Sequence, residues 1–137
     1  MRFMMLYKPG SESDTPPTQR EMEEMGRFIG EMAQAGVLLA TDGLQSSSKG
    51  ARVRITDGKF TVVDGPFTET KELIAGFAIV QAKSKQEAIE LAKRFLTVVG
   101  EGESEIRLMH DTPAFEAGSG PELGGAGERQ TASSVAN

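Results

Sequence analysis

The chain contains no cysteine and only one histidine, His110, among its 137 residues. Without cysteine it cannot form a disulfide bond, a thiolate zinc site, an iron–sulfur cluster or a cysteine nucleophile. A single histidine also excludes sites that need two or three histidines from one chain. Walker phosphate loops, Gly-x-Ser-x-Gly elbows and His-Glu-x-x-His motifs are absent as well. The sequence therefore predicts neither a bound metal nor a cofactor.

Long apolar runs and an excess of basic residues are also missing. The N-terminal run Phe3 to Leu6 is far shorter than the roughly 7–15 apolar residues of a signal peptide or the 20 or so of a membrane span. We therefore expect a cytoplasmic protein that does not enter a membrane. Fifteen basic residues stand against twenty acidic ones, for a net charge of −5. Because nucleic-acid phosphates bind to basic surfaces, we expect no nucleic-acid partner.

The composition changes once, near Thr112. From there to Asn137 the chain is rich in glycine, alanine and serine and carries few large apolar residues. Such a segment has too little apolar surface to form a core of its own. The sequence therefore predicts one domain over residues 1–111 and a flexible tail over residues 112–137.

Two helices are predicted by capping boxes followed by apolar stripes. Thr18 precedes Glu21 by three residues, and Ser84 precedes Glu87 in the same way, which is the pattern of a reciprocal N-cap. Behind each box, apolar residues recur at spacings of three and four, as expected for one buried helix face. These stripes are Met22, Met25, Ile29 and Met32 in the first helix, and Ala88, Leu91, Ala92, Phe95 and Val99 in the second.

Short apolar or alternating segments at 2–7, 37–40, 76–82 and 105–110 are typical of strands. Residues 51–64 predict a hairpin, because Asp57-Gly58 suits a two-residue type I′ turn. Pairing outward from that turn places four apolar residues on one hairpin face: Val53, Ile55, Phe60 and Val62. The order is then β-α-β, a hairpin, and β-α-β, which fits an α+β fold of the ferredoxin-like plan.

The predicted strands at 2–7 and 76–82 are apolar on both faces, so both faces need cover. Two helices can cover one face of a small sheet. The other face predicts a homodimer that packs sheet against sheet. The alternative is a monomer in which the hairpin and the tail cover that face.

The segment Val63 to Glu72 contains the sequence Asp64-Gly65-Pro66-Phe67. Together with flanking segments such as Gly43-Leu44 and Glu72 to Phe77, it resembles the signature of the YCII-related (DGPF domain) family of small bacterial proteins. The resemblance covers residues 1–111. It implies a dimeric α+β barrel of ferredoxin-like subunits, related to barrels that include isomerases, ring-opening enzymes and cofactor-free monooxygenases.

The resemblance does not carry a mechanism with it. The family's activity is not established, and many members are encoded near extracytoplasmic-function sigma factors. YCII-type members carry a histidine on the first helix, paired with an aspartate, as a proposed active site. This chain has no histidine between Thr18 and Gly36. A histidine–aspartate mechanism of that type cannot be transferred to it.

Two residues are candidates for catalysis. Asp64 ends a hairpin strand before a Gly-Pro turn, where an aspartate can act as a general base or can accept backbone N–H groups within the turn. His110 is the only side chain expected to titrate near neutral pH, but it lies at the frayed end of the last strand.

Five further residues are candidates for ligand binding. Arg52 and Arg54 share a hairpin face, where they could clamp a carboxylate or phosphate, or pair with acidic residues such as Asp64. Glu69 and Lys71 fall on one side of an extended segment, as a ligand contact or as a solvated ion pair. Tyr7, the only tyrosine, ends the first strand and could line a pocket or pack in the core.

Two functions remain open from the sequence. The first is the binding of a small, anionic or aromatic molecule in a cleft between sheet and helices. A cofactor-free acid–base step could accompany it, with Asp64 as base and Arg52 or Lys71 as anion partner. The second is a non-catalytic accessory protein that contacts another protein, as the family's sigma-factor setting suggests.

Overall fold

The computed structural model describes residues 1–13 and 15–111. The tail predicted for residues 112–137 lies outside the described residues. The elements follow one another in the predicted order: β1 (Arg2–Lys8), α1 (Gln19–Gln34), β2 (Leu38–Gly43), β3 (Ala51–Thr56), β4 (Lys59–Asp64), β5 (Gly76–Gln81), α2 (Lys85–Val99) and β6 (Glu103–Leu108). Two short 3₁₀ turns, at Ser47–Lys49 and Thr70–Glu72, flank the hairpin.

Four strands form one antiparallel sheet in the order β2-β5-β1-β6, and β3 and β4 form a separate hairpin. The α+β class predicted from the sequence is therefore confirmed. One face of the sheet, here called the inner face, packs against the helices. The core lies between them and consists of Phe3, Met5, Val80, Ala82, Ala88 and Ala92.

The opposite face of the sheet, the outer face, carries apolar side chains on its two central strands. Met4 lies opposite Ile79, and Leu6 lies opposite Phe77. All four side chains are half-buried. α1 and α2 both pack on the inner face, so neither of them covers these four side chains.

The helices begin and end where their sequence predicts. Thr18 and Glu21 form the reciprocal capping box of α1, and Gly36 follows its end with a φ of +75°. In α2 the Ser84 hydroxyl accepts the Glu87 N–H, but the Glu87 carboxylate accepts the N–H of Lys83 rather than that of Ser84. The second capping box is thus only half formed. No helix in the described ranges is long and apolar enough to cross a membrane.

The hairpin has the predicted register throughout. Ile55 pairs with Phe60, Val53 with Val62, and Ala51 with Asp64. Its apolar face, which is the set Val53, Ile55, Phe60 and Val62, is between 59% and 73% exposed. This hairpin face therefore covers no other part of the described chain. The monomer alternative would require the hairpin to cover the outer face of the sheet.

Two strands and one helix residue differ from the prediction. β2 extends to Gly43 because it pairs with β5 beyond the predicted end at Ala40. β6 starts at Glu103 and ends at Leu108, two residues earlier than predicted at each end, because its ladder partner β1 spans only Arg2–Lys8. Met22, placed on the buried stripe of α1 by its spacing, is 51% exposed.

Candidate functional site

A large cleft lies between α1 and the inner face of the sheet, with α2 closing one side. Its volume is about 1150 Å³. We call it the helix–sheet cleft. Its walls are mainly apolar side chains: Met25, Phe28, Ile29 and Met32 from α1, Leu91, Phe95 and Val99 from α2, and Met5, Tyr7, Ala78 and Val80 from the sheet.

The cleft is open because the sheet residues opposite α1 are small. Thr41, Gly43, Ala75, Gly76 and Ala78 line its floor. Beneath α2, by contrast, Ala88 and Ala92 are almost completely buried, so that helix packs closely on the sheet. The space between α2 and the sheet is therefore filled, whereas the space between α1 and the sheet stays open.

Tyr7 anchors one end of the cleft. Its hydroxyl donates a hydrogen bond to the Glu101 carbonyl at 2.8 Å, and its ring meets the edge of the Phe95 ring at 5.2 Å between centroids. Burial, with a smaller contribution from the nearby Glu101 carboxylate, raises the pKa of Tyr7 above its ordinary value of 10.0. Tyr7 is therefore a neutral hydrogen-bonding group at physiological pH. Of the predicted site residues, it is the one that lines the cleft.

One acidic side chain, that of Glu21, completes the polar part of the wall. Glu21 lies in the first turn of α1, where its Oε1 accepts the Thr18 N–H at 2.8 Å. Asp42 also borders the cleft, but it pairs with Phe77, so its carboxylate lies on the outer face, where its Oδ1 accepts the Gly43 N–H at 2.9 Å. Sequence analysis missed Glu21 as a site candidate, because a capping glutamate has no distinctive spacing.

Asp64 lies outside the cleft. It ends β4 opposite Ala51, and it is exposed. No hydrogen bond to its carboxylate is formed within the described ranges, so the turn-capping role considered for it is not seen there. Its predicted role as a base stays a prediction.

The two arginines of the hairpin, Arg52 and Arg54, do not line the cleft. Arg52 pairs with Glu72 at 3.2 Å, and its guanidinium lies 3.8 Å from the centroid of the Phe67 ring. Of the two alternatives for Arg52, the structure shows the acidic partner, and this partner is Glu72 rather than Asp64. Arg54 shares the Arg52 face of the hairpin, as predicted, and is exposed.

Glu69 and Lys71 do not lie in an extended segment. The chain forms a 3₁₀ turn at Thr70–Glu72, so the alternation that placed the two residues on one side does not apply. Both side chains are exposed, and neither lines the cleft.

His110 lies two residues beyond the end of β6 and is exposed. Its main-chain carbonyl accepts a hydrogen bond from the Arg2 guanidinium at 2.9 Å. His110, like Asp64, does not line the cleft.

The turn that carries Asp64-Gly65-Pro66-Phe67 is fixed by contacts to the Ser47–Lys49 turn. The Gly65 N–H donates to the Gly50 carbonyl at 2.9 Å, and the Phe67 N–H donates to the Ser47 hydroxyl at 2.9 Å. The Ser47 hydroxyl and N–H in turn both donate to the Glu12 carboxylate at 2.8 Å. The motif therefore joins the hairpin to the loop that precedes α1.

Comparison with known proteins identifies related chains. A family model described as YCII-related domain matches residues 1–110. "Uncharacterized protein R00369" of Rhizobium meliloti (strain 1021) is 32% identical over 75 residues, which is 55% of this chain and 60% of the relative. The chain thus spans about 60% of the length of that curated relative.

A solved structure is also similar. It is 5-chloro-2-hydroxyhydroquinone dehydrochlorinase from Burkholderia phenoliruptrix AC1100 in complex with 2,5-dihydroxybenzoquinone. The TM-score is 0.41 and the identity 14%, over 80% of this chain and 94% of that one. A likeness of this size carries no argument about this chain.

Proposed function

The chain belongs to the YCII-related family, and we propose that it binds a small, largely apolar molecule in the helix–sheet cleft. The observation that carries the proposal is the size and lining of that cleft. The cleft, of about 1150 Å³, is open to one side and is lined mainly by apolar side chains from both helices and the sheet, with polar groups at one end. Ligand sites in proteins have this character, at volumes of roughly 300–1,000 Å³.

The predicted acid–base step is a separate proposal. Asp64, Arg52 and Lys71 lie on the hairpin and the turn after it, so a ligand in the cleft would not reach them in this arrangement. The titratable side chains that face the cleft are Tyr7 and Glu21. We therefore propose that any proton transfer to a ligand in the cleft uses one of these two groups.

Filling the cleft tests the binding proposal. Ala78 lies in the middle of β5 on the cleft floor, opposite Met5 and Thr41. Ala78→Phe places a ring in the open space, and we expect it to abolish binding of ligands found by a thermal-shift screen of the wild type. A ligand at 100 times its dissociation constant stabilises a protein by about 2.7 kcal/mol, which such a screen detects.

Ala51→Phe is the matched control, because Ala51 is an exposed strand residue on the hairpin. It should leave binding unchanged. Binding that persists in a folded Ala78→Phe variant would contradict the proposal. So would a screen of apolar metabolites in which the wild type shows no hit.

We further propose that the chain is a homodimer that packs outer face against outer face, as a dimeric α+β barrel. The strand order β2-β5-β1-β6 supports the ferredoxin-like plan on which such barrels are built. The apolar, half-buried outer face supports the dimer. A cytoplasmic location and the flexible tail stay predictions from the sequence. The alternative function, an accessory protein in a sigma-factor circuit, gains no support from the family match or from the cleft.

A further inference from the structure

We propose that the helix–sheet cleft selects its ligand by charge: it takes an apolar molecule that carries an amine and rejects the matching carboxylate. This inference rests on the proposed function, because it concerns the same cleft. It departs from the anionic ligand that the basic residues of the hairpin suggested, and it identifies the chemical class that the wall itself favours.

The cleft is polar at one end and apolar at the other. The polar end lies where β1 ends and where α1 and β6 begin, and it carries Tyr7, Thr18, Glu21 and Ser104. At the opposite end, where α1 ends and β2 begins, the wall consists of Met32, Val37, Leu38 and Val80. A bound molecule would therefore place its apolar body at the second end and its polar group near Glu21.

The charge that the cleft wall presents is negative. Glu21, an exposed acidic residue at the cleft rim, is the charged side chain that faces the cleft, and no lysine, arginine or histidine lines it within residues 1–13 and 15–111. Asp42 also borders the cleft, but it pairs with Phe77, so its carboxylate lies on the outer face. Oε1 of Glu21 accepts the Thr18 N–H, whereas its second oxygen has no hydrogen-bond donor among the described residues. An ammonium group can donate to that oxygen, while a carboxylate would face it without a compensating cation.

The start of α1 does not reverse this preference. A helix N-terminus attracts anions through its free N–H groups. Here the Thr18 hydroxyl accepts the Glu21 N–H at 3.1 Å, and the Glu21 carboxylate accepts the Thr18 N–H at 2.8 Å. Two of the N–H groups at this helix start are thus satisfied within the protein, one of them by its own carboxylate, whose negative charge opposes a ligand anion there.

The aromatic side chains of the wall also favour a positively charged ligand. The rings of Tyr7, Phe28 and Phe95 line the cleft, and the faces of aromatic rings attract cations. Arg94 lies 5.4 Å from the Phe28 centroid, and its Nη1 is 3.8 Å from the Met32 sulfur. It belongs to a separate groove on the outside of the helices and lies 3.5 Å from Glu31, so its charge is compensated there.

Three matched probes test the selectivity: 2-cyclohexylethylamine, 2-cyclohexylethanol and cyclohexylacetate, at neutral pH. They share one apolar body and differ in charge. Tyr7 is the only tyrosine in a chain without tryptophan, and it lines the cleft, so intrinsic fluorescence reports binding directly. We expect the amine to bind about tenfold more tightly than the carboxylate, with the alcohol between them.

Glu21→Gln removes the charge but keeps a side chain that can complete a capping box. We expect it to weaken amine binding about three- to fivefold and to leave alcohol binding unchanged. Glu87→Gln is the matched control, because Glu87 holds the corresponding position in α2 and does not line the cleft. It should change neither affinity.

The outcomes separate this inference from the proposed function. If the alcohol binds and Ala78→Phe abolishes its binding, while the carboxylate binds as tightly as the amine, the cleft is a ligand site and the charge selectivity is wrong. An amine affinity that Glu21→Gln does not change also overturns the selectivity. If none of the three probes binds, both the selectivity and the proposed function are contradicted.

Discussion

Gly65 shows how a single residue of the Asp-Gly-Pro-Phe segment is constrained. A Cβ atom added at Gly65 would lie 1.7 Å from the Ser47 carbonyl oxygen. The glycine is required because two main-chain segments approach each other there, and not because of an unusual φ. The sequence identified the segment through its resemblance to a family. The physical reason for the glycine could not be predicted, because it depends on Ser47, eighteen positions earlier in the chain.

The Gly65→Ala variant should therefore be destabilised. The added methyl group must displace the Ser47–Lys49 turn, and overpacking of this kind costs about 1–3 kcal/mol in the free energy of unfolding. Urea denaturation measures the change. Gly30→Ala is the control, because nothing lies within 4 Å of its Cβ position and it is inside α1, where alanine should stabilise by up to about 1 kcal/mol. A Gly65→Ala variant as stable as the wild type would show that this contact is not restrictive.

Among the elements, the hairpin and the last strand differ in how far the sequence determines them. The hairpin register follows from one Asp-Gly turn and alternating flanks, and it was predicted residue by residue. The bounds of β6 depend on its partner: Glu103 pairs with Lys8, and Leu108 with Phe3. Its own alternating sequence does not show where that partner begins and ends, so the prediction was displaced by two residues.

The strand β5 provides a test of the proposed dimer. Ile79 lies on the outer face opposite Met4, and Ile79→Glu would place a charge inside a sheet-to-sheet interface, where burying it is costly. We expect light scattering to give twice the chain mass of 14.7 kDa for the wild type and the mass of one chain for Ile79→Glu. The circular dichroism spectrum of the variant should be unchanged, which shows that it is folded. Thr61→Glu, on the exposed hairpin, should remain dimeric. A wild type of single mass at micromolar concentration would reject the dimer.

At the scale of the whole molecule, a cleft between sheet and helices was expected, but its size and its lining could not be predicted from the sequence. The stripe of Met25, Ile29 and Met32 predicts a helix face turned toward the sheet, and that is where it lies. The pattern does not show how far α1 stands from the sheet. That distance depends on the small residues of β2 and β5 beneath it, such as Ala78, which are spread across separate parts of the chain.

The chain's seven methionines allow the most direct measurement of the cleft. Met5, Met25 and Met32 line it, whereas Met1, Met4, Met22 and Met109 do not. In NMR spectra of protein with ¹³C-labelled methionine methyl groups, titration with 2-cyclohexylethanol should shift the first three signals and leave the other four in place. This probe is uncharged, so the result does not depend on the charge selectivity. Shifts confined to Met4 and Met109, or no shift at saturating probe, would contradict ligand binding in the helix–sheet cleft.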